Sequence, residues 1–178
     1  MEEFILDTLL ETKKLGKKIA YNLSEIKSTE AFIIFLEGDL GSGKTTLTKE
    51  IISSLGVLES ITSPTFTIIE PYEIKNRNIY HMDLYRIEEA SELAAIGINE
   101  YCKEPNSIIF VEWPEKSFGY FNRFDMKISL KHLSEMILLD QYDKDAFSDA
   151  DYNRIRKGIS RRLLSTNKEN GKSFVECT

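Results

Sequence analysis

The segment Gly-Asp-Leu-Gly-Ser-Gly-Lys-Thr at residues 38–45 constrains the fold more than any other part of the sequence. It follows an apolar stretch and precedes a segment in which Leu47, Ile51 and Leu55 recur at four-residue intervals. The spacing G-x-x-x-x-G-K-[ST] lets consecutive backbone N–H groups surround phosphate oxygens at the positive end of a helix. A strand, a glycine loop and a helix in this order predict a P-loop that binds a nucleoside triphosphate with Mg²⁺. This context disfavours a glycine-rich turn with an incidental lysine.

Apolar periodicity predicts strands and helices that alternate along the chain. The first strand is continuously apolar rather than alternating, which is typical of a strand covered on both faces in a parallel sheet. Gly56 and Gly97 are expected to end helices. Helices are predicted at residues 12–23, 44–55 and 88–96, and strands at 31–36, 66–69, 79–82 and 107–111.

The pattern changes towards the C-terminus. Apolar and polar residues alternate from residue 124 to 130, and an apolar stretch follows at 136–139, which predicts an antiparallel hairpin. Ser148 and Asp151 match a helix cap and its acidic partner, so a further helix is expected at about 148–164.

These patterns predict a three-layer α/β fold of the P-loop NTPase type. Its mixed sheet is flanked by helices and carries a C-terminal antiparallel hairpin and an extra C-terminal helix. We expect the P-loop domain to span residues 1–143 and an extension to span residues 144–178, ending in a loose polar tail.

Composition excludes several classes of protein. A chain of 178 residues with 42% hydrophobic content can bury one core. The net charge of −6 argues against a surface that clamps nucleic acid along its whole length. No apolar run reaches the roughly 18 residues of a membrane span, so we expect a cytoplasmic protein with no membrane contact. Cys102 and Cys177 lack C-x-x-C or zinc-type spacing and are expected to be free thiols.

Four residues in the sequence suit phosphate and metal chemistry. Lys44 is expected to reach the β- and γ-phosphates, and the Thr45 hydroxyl to bind Mg²⁺. Asp83 and Glu112 each follow an apolar strand, where P-loop ATPases need carboxylates near the metal. Either could bind Mg²⁺, directly or through water, while the other orients the attacking water. Spacing alone does not assign the two roles.

Other residues have both a functional and an ordinary interpretation. Residues 63–67, Ser-Pro-Thr-Phe-Thr, could sense the γ-phosphate as a switch or could form an ordinary Ser-Pro turn. Arg86 could stabilise developing charge, although a surface salt bridge is the simpler interpretation. His81 shares a strand face with Asp83, and a structural histidine is favoured there. Trp113 could be an aromatic lid beside the carboxylate or a core tryptophan.

Several segments together resemble a known family. The most specific are Ser-Pro-Thr-Phe-Thr at 63–67, His-Met-Asp-Leu-Tyr-Arg at 81–86 and Glu-Trp-Pro-Glu at 112–115. With Thr-Lys-Lys-Leu-Gly at 12–16, Gly-Ile-Asn-Glu-Tyr at 97–101 and the P-loop, they resemble the TsaE family. Its members are small bacterial ATPases of tRNA threonylcarbamoyladenosine biosynthesis.

The resemblance implies that ATP and Mg²⁺ are used to support N6-threonylcarbamoylation of adenosine 37 in tRNAs reading ANN codons. The expected partners are TsaD and TsaB, which would make most contacts with the tRNA. Carried over by residue, the resemblance implies catalytic roles for Lys44, Asp83 and Glu112, and metal ligation by Thr45 and Glu112. The implied nucleotide contacts are Gly41, Ser42, Gly43, Lys44, Thr45, Thr46, Thr65 and Thr12.

Two other functions remain open at this point. A small-molecule kinase also carries a P-loop, and the arginines at residues 154–162 could imitate its lid. A nucleotide-dependent binding module would bind without turnover. A GTPase is less well supported, because Asn-Lys-Glu-Asn at 167–170 lacks the aspartate of the guanine-reading pattern found in that class.

Overall fold

The computed structural model describes residues 2–6, 8–75, 77–132 and 173–177. The predicted strand at 136–139 and the predicted helix at 148–164 lie outside the described residues. The elements, in chain order, are β1 (Glu2–Leu6), α1 (Leu9–Ser24), β2 (Phe32–Glu37), α2 (Lys44–Leu55), β3 (Ile69–Ile74), β4 (Arg77–Asp83), α3 (Ala90–Ile96), α4 (Ile98–Lys103), β5 (Ile108–Glu112), a 3₁₀ turn (Pro114–Ser117), β6 (Met126–His132) and β7 (Ser173–Cys177).

The strands form one mixed sheet in the order β1-β7-β6-β2-β5-β4-β3. Strand β2 pairs in parallel with β5 on one side and β6 on the other, and β5 pairs in parallel with β4. The β3–β4 and β1–β7 pairs are antiparallel. The prediction of a mixed α/β sheet flanked by helices is therefore confirmed.

Helices cover both faces of the sheet, as the continuous apolar character of β2 requires. Ile34 and Leu36 join a core cluster with α1 and α2, whereas Ile33 joins a second cluster that includes Leu93 of α3 and Ile98 of α4. Successive side chains of a strand point to opposite faces. The sheet is thus the middle layer of three.

Helix α2 has the predicted bounds, because both of its ends are set by glycines. Gly43 and Gly56 flank it with φ of 100° and 114°, a left-handed conformation that costs glycine little. Helix α1 begins at Leu9, three residues before the predicted start. Thr8 and Glu11 form a capping box there, in which each side chain accepts a hydrogen bond from the other residue's backbone N–H.

The prediction of a strand at residues 66–69 is wrong. The chain makes a turn there instead, and β3 begins only at Ile69. Ile68 adopts a φ of 67°, and its N–H donates to the Pro64 carbonyl at 2.6 Å. The Ile68 carbonyl accepts from the Asp83 N–H at 3.0 Å, so the turn is tied to the end of β4.

The C-terminal part differs in two further respects. Residues 173–177 form β7 against β1, where the sequence predicts a loose tail. Strand β6 has a parallel partner in β2, which the alternating pattern at 124–130 did not indicate. The division of the chain at residue 143 stays a prediction.

Cys102 is a half-buried free thiol whose pKa is raised by burial. Within the described part of the chain, every helix is too short or too polar to cross a membrane.

Candidate nucleotide site

The glycine loop at residues 38–43 joins β2 to α2 and requires glycine at specific positions. Gly38 has a φ of 139°, and a Cβ atom there would lie 2.2 Å from the Leu130 carbonyl oxygen. Gly41 and Gly43 also have positive φ, at 78° and 100°. Gly43 is the N-cap of α2 and has no side chain that could accept hydrogen bonds from the first N–H groups of the helix. These N–H groups therefore remain able to donate to a bound anion. This is the backbone arrangement that binds phosphate.

Lys44 is the first residue of α2 and is folded back over the loop. Its side-chain nitrogen donates to the Gly38 and Asp39 carbonyls at 2.6 and 3.0 Å and lies 3.8 Å from the centroid of the Trp113 ring. The residue is only 4% exposed. Burial lowers the pKa of Lys44, while neighbouring carboxylates, first among them Glu112, oppose the shift. The cation is thus positioned at the loop and partly desolvated.

Asp83 and Glu112 end the neighbouring strands β4 and β5 and stand opposite each other in the parallel register. They are 4% and 1% exposed. Carboxyl ends of parallel strands meet at one edge of a sheet, and here this edge faces the glycine loop. The two acids therefore reach the P-loop region together, as the sequence predicts.

The two carboxylates have different partners. Glu112 Oε2 accepts a hydrogen bond from the Thr45 hydroxyl at 2.8 Å. Asp83 Oδ2 accepts from the Thr65 hydroxyl at 2.7 Å, and its Oδ1 accepts from the Tyr85 N–H at 3.0 Å. Glu112 is thus joined to the P-loop and Asp83 to the 63–67 segment.

The spacing of Thr45 and Glu112 fits a magnesium ion. Ligands at right angles on an octahedral Mg²⁺, each about 2.0–2.1 Å from the ion, stand about 2.9 Å apart. The Thr45 Oγ1 and Glu112 Oε2 atoms are 2.8 Å apart. Both are oxygen donors of the kind that Mg²⁺ prefers, so these two residues can bind one ion as adjacent ligands.

A cavity of about 270 Å³ lies between these groups. It brings together most of the predicted site residues and two that the sequence did not single out, Leu40 and Tyr85. Tyr85 follows Asp83 by two residues, and this aromatic at a strand end was the available signal. The cavity is lined by Leu40, Gly41, Gly43, Lys44, Thr45, Thr46, Thr65, Asp83, Tyr85, Glu112 and Trp113.

Two of the predicted nucleotide contacts do not line this cavity. Thr12 lies in the first turns of α1, where its hydroxyl donates to the Thr8 carbonyl at 3.3 Å. Ser42 is fully buried, and its hydroxyl has no hydrogen-bond partner among the described residues. Their roles stay predictions.

The sequence left two interpretations open for Trp113, His81 and Arg86, and the structure gives the contacts of each. Trp113 lies on the cavity wall, with its ring 4.9 Å from that of Tyr85, and it also packs against the second core cluster. His81 is fully buried but within 2.7 Å of Glu112. The Arg86 guanidinium lies 4.9 Å from the centroid of the exposed Phe66 ring.

A family model matches most of the chain. The model described as "Threonylcarbamoyl adenosine biosynthesis protein TsaE" matches residues 6–139. This range includes every described residue of the candidate site. The match therefore shows the family of the whole P-loop region.

Individual relatives carry the same description. The chain is 37% identical over 122 residues to the tRNA threonylcarbamoyladenosine biosynthesis protein TsaE of Haemophilus influenzae, covering 68% of this chain and 77% of that protein. It is 45% identical over 103 residues to the protein of that name from Bacillus subtilis, covering 58% of this chain and 60% of the relative. The corresponding Rickettsia felis protein is 40% identical, with 62% of this chain and 61% of the relative matched.

A solved structure has the same fold. The crystal structure of YdiB from Bacillus subtilis aligns with a TM-score of 0.59 and 29% sequence identity, covering 75% of this chain and 78% of that one.

Proposed function

The chain belongs to the TsaE family of threonylcarbamoyladenosine biosynthesis proteins, and we propose that it is a Mg²⁺-dependent ATPase acting in that process. We further propose that hydrolysis supports N6-threonylcarbamoylation of adenosine 37 in tRNAs reading ANN codons, in the cytoplasm and in association with TsaD and TsaB. One observation carries the ATPase proposal. A P-loop lysine, a threonine hydroxyl and two carboxylates from separate strands converge on one cavity.

Each group has a role in binding ATP. The N–H groups of the loop from Gly41 to Thr46 would surround the phosphates, and Lys44 would exchange its carbonyl partners for phosphate oxygens. Thr45 and Glu112 would hold Mg²⁺, which when bound neutralises charge on the β- and γ-phosphates. The lowered pKa of Lys44 should rise again when phosphate replaces the carbonyls, because an anion favours the charged form.

We propose that Asp83 orients the attacking water and does not contact the metal directly. Its Oδ2 atom is bonded to Thr65, within the proposed switch, whereas Glu112 is the carboxylate bonded to Thr45. Thr65 also contacts the Ser63 hydroxyl at 2.9 Å, so a change at Thr65 can pass to the rest of the segment. A γ-phosphate in the cavity would compete for the Thr65 hydroxyl and thereby link nucleotide state to residues 63–67.

The test of the ATPase step is incubation of the purified chain with Mg²⁺-ATP. We expect phosphate release that is abolished by Lys44→Ala. Transfer of phosphate to a small-molecule acceptor would favour the kinase alternative, and binding without turnover would favour the binding module.

The test of the pathway step is reconstitution. Purified TsaD, TsaB and the enzyme that synthesises the threonylcarbamoyl donor are given tRNA, with and without this chain. We expect repeated turnover of tRNA modification only when the wild-type chain and ATP are present. Equal modification without the chain would contradict the proposal.

A further inference from the structure

We propose that His81 is a positioning residue that fixes the orientation of the Glu112 carboxylate for the metal. The inference rests on the proposed Mg²⁺-dependent function and assigns a role to a residue for which the sequence alone favours a structural one. The geometry of three side chains, His81, Glu112 and Thr45, carries it.

The His81–Glu112 contact is close and shielded from water. His81 Nε2 lies 2.7 Å from Glu112 Oε1, and the two side chains are 0% and 2% exposed. A carboxylate can only accept hydrogen bonds, so Nε2 is the donor. A charge-assisted bond in such a shielded place is stronger than the same bond at the surface.

The two carboxylate oxygens of Glu112 accept hydrogen bonds from two different residues. Oε1 accepts from His81 and Oε2 accepts from the Thr45 hydroxyl at 2.8 Å. The carboxylate plane is therefore fixed by one group from β4 and one from α2. With Oε1 held by His81, Oε2 is directed towards Thr45, which is the arrangement needed for adjacent metal ligands.

The sheet supplies the rigidity of this arrangement. His81 pairs in register with Phe110 on β5, and Asp83 pairs with Glu112 two residues further on. His81 and Glu112 therefore project from neighbouring positions on one face of two paired strands. A hydrogen-bonding partner on a metal-binding side chain orients that side chain, and losing it typically weakens metal affinity about 10- to 100-fold.

A purely structural histidine would behave differently from a positioning residue. Its loss would lower the free energy of unfolding without changing the affinity for metal in the molecules that remain folded. A test must therefore measure metal binding directly and must include a variant that weakens β4 elsewhere. Tyr80 provides this control. It precedes His81 in β4, and its hydroxyl donates to Glu104 at 2.6 Å.

The experiment measures Mn²⁺ binding by electron paramagnetic resonance at saturating ADP, with thermal unfolding followed by circular dichroism. His81→Gln keeps an amide donor near the position of Nε2, whereas His81→Asn places it near Nδ1, and His81→Phe removes both nitrogens. We expect the Asn and Phe variants to bind Mn²⁺ roughly 10- to 100-fold more weakly than wild type, the Gln variant to recover most of the affinity, and Tyr80→Phe to be unchanged.

A second arm tests whether His81 acts through Glu112. In a Glu112→Ala background, His81→Asn should produce no further loss of Mn²⁺ affinity, because the carboxylate that it positions is gone. An equal loss in both backgrounds would overturn the proposal.

The remaining outcomes are also decisive. If the folded Asn or Phe variant binds Mn²⁺ as tightly as wild type, or if Gln is no better than Asn, His81 has no positioning role. Failure of both Asn and Phe variants to fold, with Gln and Tyr80→Phe folded, would assign His81 to structure alone. If Glu112→Ala itself leaves Mn²⁺ affinity unchanged, the proposed metal site fails instead.

Discussion

The side-chain nitrogen of Lys44 lies 3.8 Å from the centroid of the Trp113 ring. The residue that is expected to meet the phosphates therefore contacts the one tryptophan of the chain. A cation over an aromatic face is attracted by the ring quadrupole. When a phosphate binds, the Lys44 side chain must either contact both the ring and the phosphate or leave the ring. The contact links occupancy of the cavity to the surroundings of the indole.

We predict that ADP or ATP with Mg²⁺ changes the intrinsic fluorescence of Trp113 saturably, because Lys44 is redirected from the ring towards phosphate. Lys44→Ala should shift the titration to higher nucleotide concentration, and Glu112→Ala should reduce the Mg²⁺-dependent part. Calorimetry under the same conditions confirms that nucleotide is bound. An unchanged emission at saturating nucleotide would contradict the cavity assignment of Trp113.

We predict that Thr45→Ala raises the Mg²⁺ concentration needed for half-maximal hydrolysis about tenfold or more, since the hydroxyl bonded to Glu112 is lost. Thr45→Ser keeps the hydroxyl and is the matched control, with a Mg²⁺ dependence close to that of wild type. The measurement is the ATPase rate over a range of Mg²⁺ at fixed ATP. Identical curves for the Ala and Ser variants would remove Thr45 from the metal site.

We predict that Gly38→Ala destabilises the protein more than Gly56→Ala does, by at least about 1 kcal/mol. Both glycines have positive φ, so the strain of an added Cβ is common to both variants. Only at Gly38 does the added atom meet the Leu130 carbonyl, at 2.2 Å, whereas no atom lies within 4 Å at Gly56. Urea unfolding of the two variants measures the difference, and equal free energies of unfolding would count against the close approach of β6 to the loop.

We predict that the hydroxyl of Tyr80 stabilises the fold below pH 10 and loses this effect as the pH rises towards 12. Burial, followed by the hydrogen bond to Glu104, raises the pKa of Tyr80 from 10.0 to about 12. Because the folded-state pKa lies above the unfolded one, the contribution is complete below pH 10 and disappears as the pH passes through the folded-state value.

Tyr80→Phe provides the comparison for this pH dependence. The difference in unfolding free energy between wild type and variant should be larger at pH 8 than at pH 11, measured by urea unfolding at both values. Both proteins share the other tyrosines, so the contribution of their ionisation to the free energy of unfolding cancels in the difference. A constant difference would show that the Tyr80 pKa is the same in the folded and unfolded chains.

Local sequence determined the parts of the site that depend on neighbours in the chain. The spacing of glycines and lysine at residues 38–45 specified the loop, and α2 has the predicted bounds because its ends are set by Gly43 and Gly56 themselves. The apolar patterns before Asp83 and Glu112 were enough to predict that both acids lie at the ends of strands, and each is the last residue of its strand. In each case the deciding interactions lie within a few residues, where periodicity and capping apply.

Tertiary structure decided which of these groups meet. The Thr45–Glu112 and His81–Glu112 contacts join residues 67 and 31 positions apart, and they exist because β5 lies between β2 and β4. The strand predicted at residues 66–69 is replaced by a turn that combines a local hydrogen bond, from Ile68 to Pro64, with a distant one from Asp83 to Ile68, and the distant bond is not visible in the local pattern. Strand order is set by burial of whole faces and not by any local pattern, so the sequence named the two carboxylates and only the sheet assigned their different partners.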